Sequence, residues 1–235
     1  MQIIMRNSWL KACSIFLIPI LISSCGQSKS SQVKETNSTK IWTEDEVFQQ
    51  AIDLTIVKSW GYFDNSYSDK TEIINFANQK NATTSELIAV KPIDCTPLAV
   101  LLEDSADSGA KYLLKQYHTN GDVLPSQSMI FRIFAYDNED KSKKAFEAVK
   151  PIVSRCGNYI AKRTNDVSSQ DLWQEATIVN ENLIEAFNLE FDEANALGRV
   201  GSAIYFIYFI NYNKMEKSKG DLEKAIIIVS ENLAK

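Results

Sequence analysis

Ala203-Ile204-Tyr205-Phe206-Ile207-Tyr208-Phe209-Ile210 is the stretch on which the fold turns. Eight β-branched, aromatic or small apolar residues in a row carry no charge. They show no helical gap and no alternation with polar residues. Such a run suits a strand with both faces covered, so it belongs at the centre of a sheet. It is too short to cross a bilayer as a helix, which takes about 20 apolar residues.

Outward from that strand, toward the N-terminus, the chain reads as a meander. Tyr159 to Lys162, Leu172 to Val179 and Asn182 to Phe191 have strand composition. Asn180-Glu181 and the stretch Asn195 to Gly201 supply turns between the later strands. Toward the C-terminus, Gly220-Asp221 opens a helix with Leu222, Ala225, Ile226, Val229 and Leu233 on one face.

The clearest helix begins at Asp137-Asn138-Glu139-Asp140. Ala145, Phe146, Val149, Ile152, Val153 and Cys156 then form one continuous stripe at helical spacing. Pro151 lies inside it, and the unbroken periodicity predicts a kink there rather than an end. Upstream, Lys111 to His118 and Ser128 to Tyr136 alternate as strands around a Gly121-Asp122 turn. Leu87 to Val90 is a short strand before Pro92, and Thr96 to Leu102 is one or two helical turns starting at Cys95. Thr43-Glu44-Asp45-Glu46 fits a capping box, followed by helical spacing of Val47, Phe48, Ala51, Ile52, Leu54 and Thr55. The polar segment from Trp60 to Thr84 is ambiguous; a short helix around Thr71 to Gln79 would place Ile73, Ile74 and Phe76 inside. The sum is an α+β fold: one domain, a twisted antiparallel β-sheet with helices packed against one face.

The N-terminus carries different information. Residues 1 to 11 contain Arg6 and Lys11 and no acid, and Ala12 to Ile22 is uncharged. Ile22-Ser23-Ser24-Cys25 follows, and Gly26 after it. This arrangement resembles a lipobox, in which small residues let the backbone lie flat in a signal peptidase and the thiol accepts a diacylglyceryl group. The expected organisation is a lipoprotein signal peptide over 1–24, a tether over 25–40 beginning at lipidated Cys25, and a domain over 41–235. Each buried methylene contributes ~0.8 kcal/mol, so two or three acyl chains hold stably on the extracytoplasmic face of a cell membrane. Residues 26 to 40 read GQSKSSQVKETNSTK, too polar to bury enough surface to order themselves.

Removing residues 1–24 takes two of the 25 cations and none of the 30 acids, leaving a net charge of −7. That balance excludes a nucleic-acid partner, which needs clustered Lys and Arg. It leaves attachment to the acyl chains rather than to a broad basic surface. Of four cysteines, Cys13 leaves with the signal and Cys25 takes the lipid. Cys95 and Cys156 remain, and an exported setting favours their joining; two separate buried thiols are the alternative. Because Cys156 lies on the helix's buried face, a bridge to Cys95 would tie that helix to the front of the domain.

Catalytic signatures are missing from the sequence. His118 is the single histidine, with no nucleophile elbow to serve, and a surface or strand-end position suits it. Metal ligation lacks His and Cys ligands, and no cofactor cradle is present. Asp104, Asp107 and Ser108 lack the EF-hand pattern and read as a solvated acidic loop. Glu185, Glu190, Asp192 and Glu193 are weak candidates for a carboxylate pair. The sequons at Asn37 and Asn81 carry nothing in an exported bacterial chain. Tyr205, Phe206, Tyr208, Phe209 and Tyr212, with Phe187 and Phe191 on the expected neighbouring strand, could line a cleft for a small amphipathic ligand. Core packing is the simpler use of any one of them.

A Pro-x-Asp-Cys turn at 92–95, an aromatic strand with Tyr112, the strand Met129-Ile130-Phe131-Arg132-Ile133-Phe134 and a helix running into Ser154-Arg155-Cys156 form a familiar series. It resembles the PknH-like extracellular sensor domains of mycobacterial kinases and their lipoprotein relatives in actinobacteria. The resemblance follows element order from about Thr43 to Lys235, and its specific part is residues 92 to 160. It implies a twisted antiparallel sheet, a ligand cleft, and a disulfide near Cys95 and Cys156. Those kinase sensors carry a second disulfide that this chain cannot form, and no kinase or transmembrane helix accompanies the domain here. A non-enzymatic binding or sensing module is the expectation, with no catalytic residue, metal or cofactor, and ligand residues unknown. Docking to an envelope protein is the alternative.

Overall fold

In the computed structural model, residues 40–60, 67–78, 87–120, 127–163, 167–170, 175–189, 192–211 and 215–235 are described. The chain divides into two compact units, Met1–Lys34 and Glu35–Lys235, and every described residue belongs to the second. Cys25, the sequons, the Gly121-Asp122 turn, Glu190, Phe191 and Tyr212 lie outside the described residues.

Strands β1 (Tyr67–Asn75), β3 (Tyr112–Asn120), β4 (Gln127–Ala135), β7 (Thr177–Asn180), β8 (Leu183–Asn188), β9 (Glu193–Val200) and β10 (Ala203–Asn211) form one antiparallel sheet in the order β1-β3-β4-β10-β9-β8-β7. A second antiparallel sheet joins β2 (Leu87–Lys91), β5 (Tyr159–Arg163) and β6 (Val167–Gln170) in the order β2-β5-β6. The apolar run Ile204 to Ile210 occupies β10, the middle region of the large sheet, paired on one side with β4 and on the other with β9. The α+β class and the antiparallel sheet are as expected.

Helices cover both faces of the large sheet rather than one. Alternation along β10 sends Tyr205, Ile207 and Phe209 into a core with α5 (Met215–Leu233), where Leu222, Ala225, Val229 and Leu233 meet them. Ile204 and Phe206 enter a second core with α3 (Thr96–Leu102) and α4 (Glu139–Val149), to which β2 and β5 contribute Val90, Tyr159 and Ala161. A strand apolar on both sides demands such a cover twice over. Phe187 sits on β8, separated from β10 by β9, and is therefore not on the neighbouring strand.

Five local expectations change. Residues 71–75 are not helical: β1 pairs with β3 along nine residues, and Ile73 and Ile74 enter opposite cores. Consecutive β-branched residues fit a pleat better than a helix. The stretch Asn195 to Gly201 is mostly strand β9, because Ala194, Ala196 and Gly198 are small enough to lie under β10 side chains. Gly198 faces Tyr205 across the ladder, and a Cβ there would lie 2.0 Å from the tyrosine Cζ. The tight turn is confined to Gly201 at φ 52 and its neighbour.

The N-terminal helix breaks in two. Thr43 and Glu46 cap α1 (Glu44–Phe48) reciprocally, and Trp42 and Val47 are buried together beneath it. The Gln116 side chain then takes the backbone of Ile52, accepting from its N–H at 2.7 Å and donating to its carbonyl at 3.3 Å. Asp53 accepts the Thr55 N–H at 2.8 Å and starts α2 (Leu54–Ser59). Next, α4 stops at Val149 instead of kinking, since Pro151 has no N–H and crowds the carbonyl four residues back. The chain stays coiled in turns, with Cys156 N–H bonded to Ile152 O at 2.9 Å, so Ile152, Val153 and Cys156 remain buried. Helix α5 starts at Met215 rather than Gly220, anchored by the Ser218 hydroxyl on Asp192 O at 3.0 Å.

Candidate functional site

Two helices and a tyrosine build a groove. Helix α3 starts with Pro97 in its first turn, which needs no N–H partner there, and buries Leu98, Ala99, Leu101 and Leu102. It ends at Glu103 with Asp104 in the left-handed conformation, φ 56, and the Ser105 N–H returns to Val100 O at 3.0 Å. That is a Schellman closure with Asp in the place usually held by Gly. Helix α4 is capped by Asn138, whose Oδ1 accepts the Lys141 N–H at 3.0 Å. Ser142 donates to Gly201 O at 2.7 Å, and Arg199 Nη1 reaches Glu139 at 3.0 Å, which fixes the helix on the β9–β10 turn.

Between α3 and α4 the facing residues are Pro97 and Val100 on one wall, Ala145 and Ala148 on the other. None is long enough to close the gap, and a cavity of about 430 Å³ remains. That lies at the small end of ligand sites. Cys95, immediately before α3, is disulfide-bonded to Cys156 beyond α4, with Cα atoms 5.5 Å apart. The two walls are thereby tied at one end.

Tyr136 forms the floor. It is 1 % exposed, and its hydroxyl has no hydrogen-bond partner among the described residues. Leaving such a group unsatisfied costs about 1–3 kcal/mol. Burial pushes the phenol's pKa well above the ordinary tyrosine value, so it stays a protonated donor. Around the mouth stand Lys141, Lys144, Asp107 and Ser108. Lys141 is engaged by Asp137 at 2.5 Å, and Asp107 accepts from the Ser105 hydroxyl at 3.3 Å. Lys144 makes no ion pair among the described residues.

A buried ion network backs the C-terminal end of α3. Asp104 contacts Arg132 Nε at 2.7 Å and Lys115 Nζ at 2.7 Å, and Lys115 also approaches Glu72 at 3.4 Å. Arg132 lies over the Phe206 ring, 5.2 Å from its centroid. Glu103 pairs with Arg163 and accepts the Tyr159 hydroxyl at 3.1 Å. Burial works against the charge on Lys115, and Asp104 more than restores it, raising the ammonium pKa above the ordinary value.

The residues singled out from sequence scatter. Asp104 is a largely buried ion-pair anchor and not part of a solvated loop, while Ser108 is buried at the groove and Asp107 exposed. His118 is fully buried on β3, neither at the surface nor in a frayed strand end. Glu185 and Glu193 project from opposite faces of the sheet by alternation and make no acid pair; Glu193 accepts the Tyr208 hydroxyl at 2.9 Å. Tyr205, Phe206 and Phe209 are core residues. Among the described residues no three His, Cys, Asp or Glu gather as a metal site, and no helix is long and apolar enough to cross a membrane. Tyr136 and Lys144 were not singled out by sequence reasoning; a tyrosine placed one residue before an Asp-Asn helix start was the only available hint.

No protein-family model and no curated protein sequence matches this chain. Among solved structures, the extracellular domain of PknH from Mycobacterium tuberculosis superposes with a TM-score of 0.56 at 9 % identity, over 83 % of this chain and 98 % of that one. At that identity the likeness is one of fold: the chain has the fold of the PknH extracellular domain.

Proposed function

We propose that this chain is an extracytoplasmic lipoprotein, acylated at Cys25, whose domain is a non-enzymatic binding or sensing module. Its ligand is a small amphipathic molecule held in the α3–α4 groove. The observation that carries the reading is the Tyr136 hydroxyl, buried and unpartnered among the described residues, on the tyrosine beneath a groove with apolar walls and a polar mouth. A bound acceptor there would remove a desolvation cost the empty groove retains. The extracellular origin of the structurally similar PknH domain and the Cys95–Cys156 disulfide both support an oxidising location.

Native mass spectrometry of the full-length protein taken from bacterial membranes tests this. The expected species begins at diacylglyceryl-modified Cys25 and carries a small molecule that Ala148→Trp, which fills the groove, removes. Residues 1–24 still attached, or identical bound mass in both forms, would contradict it.

A second reading, docking of an envelope protein, draws on β7. It is the edge of the large sheet, and Ile178 and Val179 there are 49 % and 50 % exposed. An open edge with apolar side chains can accept a partner strand.

A further inference from the structure

We infer that the α3–α4 groove selects anions: its ligand is an apolar body bearing a carboxylate or similar oxoanion, held at the mouth by Lys144 and met at the floor by the Tyr136 hydroxyl. The inference rests on the groove reading above and adds the charge of the ligand to it.

The donor inventory carries the argument. Lys141 and Lys144 offer ammonium groups, Tyr136 and Ser108 offer hydroxyls. The one anionic side chain on the lining, Asp107, is turned toward Ser105: the Asp107 N–H donates to the Ser105 hydroxyl oxygen at 3.1 Å, and the Asp107 carboxylate accepts from that hydroxyl at 3.3 Å. The Ser108 oxygen accepts the Ala110 N–H at 3.4 Å, leaving its own proton to give. A ligand entering here therefore finds four donor side chains against one carboxylate, Asp107, part of whose accepting capacity Ser105 already takes. A cationic or donor-rich ligand would leave Tyr136 unsatisfied and face Lys144 directly.

Lys144 is informative because it is not otherwise employed. In a chain with 30 acids and 25 cations, a lysine at the mouth of an apolar groove finds no carboxylate partner among the described residues. Lys141 on α4 and Lys150 at its C-cap are taken, by Asp137 and Glu147, while Lys143, also without an ion pair among the described residues, does not line the groove. The pairing is sequence-local for Lys141 and Lys150; Asp140 stands four residues before Lys144, as Asp137 does before Lys141, yet Lys144 forms no ion pair with it, and position 148 on the groove wall is alanine. The same alanine keeps the groove open. The cavity volume suits one small aromatic or short-chain anion rather than a diacyl lipid.

Full-length protein in lipid nanodiscs, titrated by calorimetry with 2-naphthoate and its neutral counterpart 2-naphthamide, tests the charge. The carboxylate should bind about tenfold or more tightly than the amide, the scale of one charge-assisted hydrogen bond. Lys144→Gln should remove that difference, and Lys144→Arg should retain it. Tyr136→Phe should weaken both probes, and Ala148→Trp should abolish both. Equal affinity for the two probes, or a carboxylate preference that survives Lys144→Gln, would overturn anion selection and leave the groove standing as a site. Failure of both probes to bind would overturn the groove together with the inference.

Discussion

Asp104→Asn isolates the charge at the back of α3 with the least change in shape. Asparagine tolerates the left-handed conformation, so φ 56 is not what the variant perturbs. It does strip the anion from two cations. Arg132 and Lys115 have side chains only 10 % and 14 % exposed, and both lie 2.7 Å from Asp104. Removing one partner of a buried pair costs about 3–5 kcal/mol, because the remaining charge is left without compensation. Lys115 keeps Glu72 at 3.4 Å, which moderates the loss to about 2–4 kcal/mol. Against an ordinary total of about 5–15 kcal/mol this is a large fraction. With a urea dependence of about 2–3 kcal/mol per molar for a chain of this size, the midpoint should fall by about 1 M at unchanged slope. Asp104→Ala should lose about 1 kcal/mol more, since alanine resists positive φ. Combining Asp104→Asn with Arg132→Met removes the stranded cation, and the double variant should be less unstable than the two single losses added. A single variant within 0.5 kcal/mol of the parent, or strictly additive losses, would refute the view that Asp104 neutralises buried cations.

Three further outcomes follow from the same structure. Gly198→Ala would drive a methyl into the Tyr205 ring and should destabilise by about 1–3 kcal/mol in urea titration, a loss that Tyr205→Leu on the same background should partly relieve; a neutral Gly198→Ala contradicts the close packing. Cys95→Ala/Cys156→Ala opens a loop with a sequence separation of 61 and should lower stability by up to about 4 kcal/mol, matching the parent protein under reducing agent; a variant as stable as the oxidised parent would show that the bond contributes nothing. Burial, then the nearby Glu223, raises the pKa of Glu185 above the ordinary glutamate value. The folded carboxyl holds its proton more firmly than the unfolded one, so parent stability declines as pH climbs from the ordinary value through the raised one. Glu185→Gln should therefore be the more stable form at pH 7 and lose that advantage in acid, and a thermal-shift series showing the opposite trend would be inconsistent with it.

Sequence patterns were informative where one face or one run dominated. The uninterrupted Ile204 to Ile210 run placed β10 at the sheet's centre, and the Asn138 cap and apolar stripe located α4. Patterns misled where a non-local contact decided. Ile73, Ile74 and Phe76 suit a helical turn as well as a strand, and only the β3 ladder separates them. Asn195, Gly198 and Gly201 look like turn residues, yet the first two lie inside β9, where a tyrosine ring takes the space that Gly198 leaves. Ile52 fits a long helix until the Gln116 side chain claims its backbone. The groove was invisible for a related reason: small Ala145 and Ala148 read as ordinary helix residues, and nothing in the order of residues shows that the Tyr136 hydroxyl lacks a partner. Attention to the tyrosines and phenylalanines of β10 was misplaced, because a strand covered on both sides uses them for packing.

Carbon-13 labelling of tyrosine Cζ gives the most direct test of the groove. Nine tyrosines supply nine signals, and Tyr136→Phe identifies the one at the floor by its loss. On titration with 2-naphthoate the Tyr136 signal should move the most and saturate, as its hydroxyl gains an acceptor. A Tyr136 signal that stays fixed while bound naphthoate is detected elsewhere would contradict the account.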